Sequence, residues 1–217
     1  RTETCQYDVV VVDNQDPTIT CAIPAASYNA DAGACYYTVP NNALDPTATN
    51  DNCGVASIEN DFNGTATLNG AQFPVGTTTV IWTVTDDNSR TETCQYDVVV
   101  VDNQDPTITC AIPAASYNAD AGACYYTVPD NSLNPTATND NCGVASIEND
   151  FTGTATLNGA QFPVGTTTVI WTVTDDNLRT ETCQYNIVVA DNQDPTITCA
   201  IPAASYNADA GECYYTV

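Results

Sequence analysis

Three short words concentrate side-chain oxygen: Asp13-Asn14-Gln15-Asp16, Asn50-Asp51-Asn52 and Asp86-Asp87-Asn88. A second set follows at Asp102-Asn103-Gln104-Asp105, Asn139-Asp140-Asn141 and Asp175-Asp176-Asn177. Clustered carboxylates and amides suit Ca²⁺, which takes six to eight hard oxygens at about 2.3–2.6 Å. Packed together without a cation, such carboxylates repel one another. The plainer alternative is that Asp and Asn are good turn residues on a solvated surface. The second reactive set is sulfur, with 11 Cys in 217 residues and four in each full copy of an internal repeat. There is no CxxC pair and no His, so the usual zinc donors are missing. Disulfides are the better reading, and they imply an oxidising compartment. Without His or Lys there is no ordinary general base and no Schiff-base amine. A pair such as Asp86-Asp87 meets the residue types of a glycosidase, but it falls in a loop with no sign of a cleft. The chain is expected not to be an enzyme.

The charge balance narrows the partners. Against 27 acidic residues stand three Arg, for a net charge of −24. Phosphate contacts need cations that this chain lacks, so nucleic acid and anionic membrane surfaces are excluded. No run approaches the ~20 apolar residues of a membrane span. The chain opens without Met or a signal peptide and reads as an internal window of a longer, processed protein.

The elements that must position these residues repeat with a period of 89. RTETCQY begins at Arg1, Arg90 and Arg179, and the first two copies differ at five positions: Asn41/Asp130, Ala43/Ser132, Asp45/Asn134, Asn63/Thr152 and Ser89/Leu178. That period fits a self-contained domain rather than a solenoid coil. Alternation in Thr77–Thr85 puts Val80, Trp82 and Val84 on one face, and Cys94, Tyr96, Val98 and Val100 alternate likewise. A hairpin loop over 86–90 separates the two runs. Pro17–Cys21, Cys35–Val39 and Val55–Glu59 give further strands, with Gly64–Leu68 and Gln72–Val75 as weaker ones. About seven short strands per repeat predict an all-β fold of tandem immunoglobulin-like sandwiches in an extended rod. In such a sandwich the chain entry, the B–C loop and the F–G loop share one pole. The candidate calcium ligands are therefore Asp13, Asn14, Asp16, Asp51, Asp86 and Asp87, then Asp102, Asn103, Asp105, Asp140, Asp175 and Asp176.

Asp16-Pro-Thr-Ile-Thr-Cys21, Ala48-Thr-Asn-Asp-Asn-Cys-Gly54, Phe73-Pro-Val-Gly-Thr77, Thr83-Val-Thr-Asp86 and Thr93-Cys-Gln-Tyr-Asp-Val98 occur in order through the whole repeat. This series resembles the hyalin repeat (HYR) family of extracellular immunoglobulin-like domains. The resemblance implies a tandem adhesion-type surface protein without a catalytic centre. It also implies domains at 13–101 and 102–190, flanked by the last strand of a preceding repeat (1–12) and the first strands of a following one (191–217). Many such repeats carry another Cys pair, near position 60 and at the Trp82 position; here both are absent, and Trp82 is expected to fill the core instead. Within each repeat, bonds are expected for Cys21–Cys35, Cys53–Cys94, Cys110–Cys124, Cys142–Cys183 and Cys199–Cys213, with Cys5 left over.

Function is then expected to be structural: a stalk or filament body, extracellular and at the cell surface, built from identical neighbouring repeats with calcium at their junctions. The alternative is an adhesin array binding glycans or another surface ligand, with avidity along the rod. Tyr28, Tyr36 and Tyr37 are the candidate glycan face, although buried rings with wet hydroxyls are their commoner use. Asn63-Gly-Thr65 is an N-glycosylation sequon that the second copy replaces with Thr152.

Overall fold

The structure is a computed structural model that describes residues 1–201, 205–214 and 216. Two sandwich units with the same topology follow one another. In the first, β1 (Thr18–Thr20), β2 (Tyr28–Asn29), β3 (Tyr36–Thr38), β4 (Ala48–Asn50), β5 (Val55–Asn60), β6 (Gln72–Pro74), β7 (Gly76–Asp86) and β8 (Thr91–Val101) run in chain order. The second repeats them as β9 (Thr107–Thr109), β10 (Tyr117–Asn118), β11 (Tyr125–Thr127), β12 (Ala137–Asn139), β13 (Val144–Asn149), β14 (Gln161–Pro163), β15 (Gly165–Asp175) and β16 (Thr180–Ala190).

The long hairpin β7–β8 is the spine of the first unit. It lies in a four-stranded sheet ordered β2-β8-β7-β5, in which only the β2–β8 pairing is parallel. The pairs β1–β4 and β3–β6 form the opposing layer. The expected alternation holds, because Val80, Trp82, Val84 and Val98 are fully buried and Val100 nearly so. Phe73, Leu44 and Leu68 complete the core, and Phe62 stacks on Phe73 with ring centroids 4.2 Å apart. Trp82 is fully buried in the core and lies opposite buried Asn60 across the β5–β7 pairing. The Trp82 indole donates to the Tyr96 hydroxyl at 3.1 Å, and that hydroxyl donates to the carbonyl of Leu44. Tyr96 thereby ties the spine to the 3-10 turn at Asn42–Leu44. The copy-to-copy substitutions keep their local roles: Asp45 and Asn134 both accept from a leucine amide, and Asn41 and Asp130 both cap the turn that follows.

Two sequence expectations fail here. Gly64–Leu68 is turn and coil, held by the Asn60 side-chain amide on the carbonyl of Thr65. The expected cysteine pairs are also wrong. The bonds inside the units are Cys21–Cys94 and Cys110–Cys183, and Cys35–Cys142 joins the two units. Register explains the error. β1 pairs with β4 and β3 with β6, so the strands next to Cys21 and Cys35 are not paired with each other. Cys94 lies opposite Trp82, whereas Cys35 is level with Val75, just past Gly76 and its partner Val100. Six residues of strand separate Trp82 from Gly76 and Val75 lies one further, so the levels are more than about 20 Å apart at ~3.3 Å per residue, too far for Cys21 to reach Cys35 while bonded at the Cys94 level. Cys53 stands beside the β7–β8 turn, where the Asp87 amide donates to the Gly54 carbonyl, and so misses Cys94. The same registers exclude Cys110–Cys124 and Cys142–Cys183. Cys199 and Cys213 are not bonded to each other.

Candidate functional site

Each acidic word folds as a turn that uses part of its own carboxylate. Asp86 Oδ1 accepts from the amides of Asn88 and Arg90, both at 2.8 Å, and so builds the β7–β8 turn. Ser89 closes that turn at φ 68°, in the left-handed region. Asp51 Oδ2 accepts from the Cys53 amide at 2.7 Å. Asp13 Oδ1 accepts from the Gln15 amide at 3.1 Å, and this bond, together with the Asn88 amide on Oδ2, pulls the Asp13 carboxyl below its usual range. The side-chain amides of Asn52 and Asn88 bridge both loops to Asp13 at 3.3 and 3.2 Å. The three segments therefore do meet at one pole.

What the turns leave over matters most. Asp51 Oδ1 and Asp86 Oδ2 are buried with no hydrogen-bond partner, and Asp140 Oδ1 and Asp175 Oδ2 repeat the feature in the second unit. A buried, unpaired carboxylate oxygen is costly. Asp13 and Asp51 place oxygens within 4.8 Å of each other and of the Cys53 sulfur, and Asp102, Asp140 and Cys142 do the same. The Cys53 thiol is pushed up, first by loss of water around the sulfur and then by the charges of Asp13, Asp51 and Asp86, so Asp86 belongs to the same neighbourhood. In the second unit the sulfur is locked in a disulfide and offers no thiolate. The shared donors are then carboxylates, which suit a hard cation rather than zinc.

The other expected ligands fall outside this cluster. Asp16 is held by Arg90, whose Nε and Nη2 both lie 2.7 Å from Oδ1, and Asp105 is held by Arg179 at 2.8 and 2.6 Å. The few arginines thus neutralise these two acids, which sequence reasoning left without a basic partner. Asn14 and Asn103 are exposed. Exposed Asp87 lies over Gly54, where any Cβ would collide with its Oδ2; Gly54 has φ 115°, and Asp176 and Gly143 repeat the contact. Of the tyrosines, Tyr28 stacks on Tyr37 at 4.6 Å and accepts from the Ala25 amide, so both rings are occupied in packing.

Sequence reasoning missed how the junction is joined. Gln104 reaches back to the first unit, accepting from the Gly33 amide at 2.8 Å and donating to the Asp31 carbonyl at 3.1 Å. Gln193 makes the same two bonds to Gly122 and Asp120 at 2.7 and 2.9 Å. Asn141 donates to the carbonyl of Ala34 at 2.9 Å, beside the Cys35–Cys142 bond. The available signal was the position of Cys53 and Cys142 in the polar words of the pole rather than in a strand.

A disulfide-bonded β-sandwich repeated in tandem, with acidic poles at its junctions, is the class of protein these features define. The chain belongs to the HYR domain family, which matches residues 12–100 and 101–189. It is similar to hyalin of Strongylocentrotus purpuratus, at 30% identity over 208 residues, covering 90% of this chain and 16% of that protein. It is also similar to hyalin of Lytechinus variegatus, at 32% identity, covering 91% of this chain and 36% of that protein. The chain thus spans well under half the length of these relatives. Among solved structures, the fibronectin(III)-like modules of Clostridium thermocellum CbhA align at TM-score 0.31 and 14% identity, covering 84% of this chain and 100% of that one.

Proposed function

We propose that this chain is part of the stalk or filament body of an extracellular, cell-surface protein, and that calcium stiffens its junctions. Family membership and disulfides support the extracellular structural role. The observation carrying the calcium reading is the set of orphaned buried oxygens on Asp51, Asp86, Asp140 and Asp175, next to Asp13 and Asp102. A cation there takes ligands from the linker, the loop after β4 and the β7–β8 turn. Those three segments then lose their freedom to move against each other. A ligand binding only the ordered junction stabilises it by mass action, about 2.7 kcal/mol at a hundred times its Kd.

The test is calorimetry and small-angle scattering with calcium and then with chelator. Calcium should raise the melting temperature and narrow the distribution of shapes. Asp86→Asn or Asp175→Asn should weaken calcium binding about tenfold at its own pole, because each removes one charged donor. Unchanged melting and shape in both conditions would leave the acidic words as solvated turns.

A further inference from the structure

The chain has a bond across its described junction, and each of its two complete units carries one cysteine that stands where a further bond of that kind begins. Cys35 of the first unit is joined to Cys142 of the second, with Cα atoms 4.8 Å apart. At the repeat of 89, Cys124 is the counterpart of Cys35, and Cys53 is the counterpart of Cys142. Both are exposed thiols. We infer that the cross-junction disulfide recurs at every junction of the array, and that Cys53 and Cys124 are the open halves carried by the two complete units. Cys53 takes the Cys35 counterpart of a repeat seated on the first unit's entry pole. Cys124 takes the Cys142 counterpart of a repeat seated on the second unit's exit pole.

Both halves are built before any partner arrives. The turn presenting Cys35 is closed by Asp31 N to Tyr36 O at 2.7 Å and Ala34 N to Asp31 O at 2.9 Å; around Cys124 the same bonds measure 2.7 and 2.9 Å. Gln193 has already seated the linker on that turn as Gln104 does at the bonded junction. The loop presenting Cys142 is set by Asp140 Oδ2 on its amide at 2.7 Å and by the Asn141 amide on its sulfur at 3.2 Å. Around Cys53, Asp51 and Asn52 give 2.7 and 3.1 Å. Two preorganised halves form a disulfide with little added ordering cost.

The oxidant is a small-molecule disulfide such as oxidised glutathione. One cysteine thiolate attacks it and releases one glutathione thiolate. The second cysteine thiolate attacks the resulting mixed disulfide and releases another, so two protein thiols are oxidised as one glutathione disulfide is reduced. The consequence is a second covalent connection beside the peptide chain: a cut between Val101 and Asp105 leaves the two units joined through Cys35–Cys142. This bond is independent of the calcium reading, since it needs no cation.

The test lengthens the chain by one further 89-residue copy, refolds it in a glutathione redox buffer and maps it without reduction. The present chain carries three disulfides and five thiols. Its four added cysteines should bring two more disulfides and leave the thiol count at five, with Cys124 joined to the added counterpart of Cys142 in a protein of monomer mass. Cys124→Ser should raise the count to six thiols while Cys21–Cys94 and Cys110–Cys183 persist and report folding. A count of seven thiols overturns the inference. So does Cys124 joined to any other cysteine, or a ladder of chains linked to one another.

Discussion

The entry poles of the two units carry the same three acidic words in different settings. At the first, Asp13 is half-buried and Asn52 and Cys53 are exposed. At the second, Asp102 is 8% exposed, Asn141 is half-buried and Cys142 is bonded. Yet the internal geometry barely changes. The Asp51–Cys53 and Asp140–Cys142 turns both measure 2.7 Å, and both hairpin carboxylates hold their two amides at 2.8 Å. The orphaned oxygens also occur at both poles. Docking therefore adds contacts to a socket that each sandwich builds alone. The junction is a property of the repeat rather than of its neighbours, which is how interchangeable copies can be strung together.

The largest break in this comparison should come from Cys35→Ser combined with Cys142→Ser. The chain-entropy model gives about 4.7 kcal/mol for a closed loop of about 100 residues. The measurable loss is smaller, because each unit keeps its own disulfide. Scattering should show the units swinging, and hydrogen exchange should rise at the Asp102–Asp105 linker toward that at Asp13–Asp16. Melting of the separate sandwiches should change little. If exchange in the linker stays protected, the hydrogen bonds alone hold the junction.

Next in size is Tyr96→Phe against Tyr185→Phe. Each removes the donor to a buried carbonyl, Leu44 or Leu133, and leaves a buried indole N–H unpaired. Each should cost about 1–3 kcal/mol. Equal losses in denaturant melts would sharpen the comparison, confining the difference between the units to their poles. Burial holds the Tyr96 hydroxyl above its ordinary 10.0. Its folded form therefore favours the neutral phenol. That stability is present below pH ~10 and is lost as pH rises through the folded value; Tyr96→Phe should flatten this alkaline loss.

The sequence was most legible where period-two patterning was long. β7, β8, their turn and the buried Val80-Trp82-Val84 face follow directly from alternation. β2 has two residues and pairs in parallel with the last strand, and β4 has three, so neither leaves a periodic signal. Strand order is a matter of long-range pairing, which alternation does not encode. The disulfide errors follow from that gap, because pairing Cys21 with Cys35 and Cys53 with Cys94 presumes strand neighbours that the pairing order does not supply. Of the acidic site, the residue types and the shared pole were legible. Which oxygen each turn consumes, and the capture of Asp16 by Arg90, depend on geometry that no word pattern carries.

The smallest effect should come from Gln104→Ala. Its side chain makes two bonds to the first unit, at Gly33 and Asp31. Neutral hydrogen bonds contribute about 0.5–1.5 kcal/mol each, and partial exposure keeps the pair toward the low end, near ~1 kcal/mol in total. The disulfide holds the junction closed, so the loss should be local. At about 1.4 kcal/mol per tenfold, ~1 kcal/mol corresponds to roughly fivefold faster exchange of the Gly33 amide. Gly122 donates to Gln193 in the same way and is an internal control that should not change. Gln15 occupies the equivalent place in the first linker, with its backbone amide on Asp13. Gln15→Ala should leave the Gly33 and Gly122 amides alike undisturbed. If Gln104→Ala leaves Gly33 protected, the disulfide and Asn141 suffice to order that turn, and the glutamine is incidental to docking.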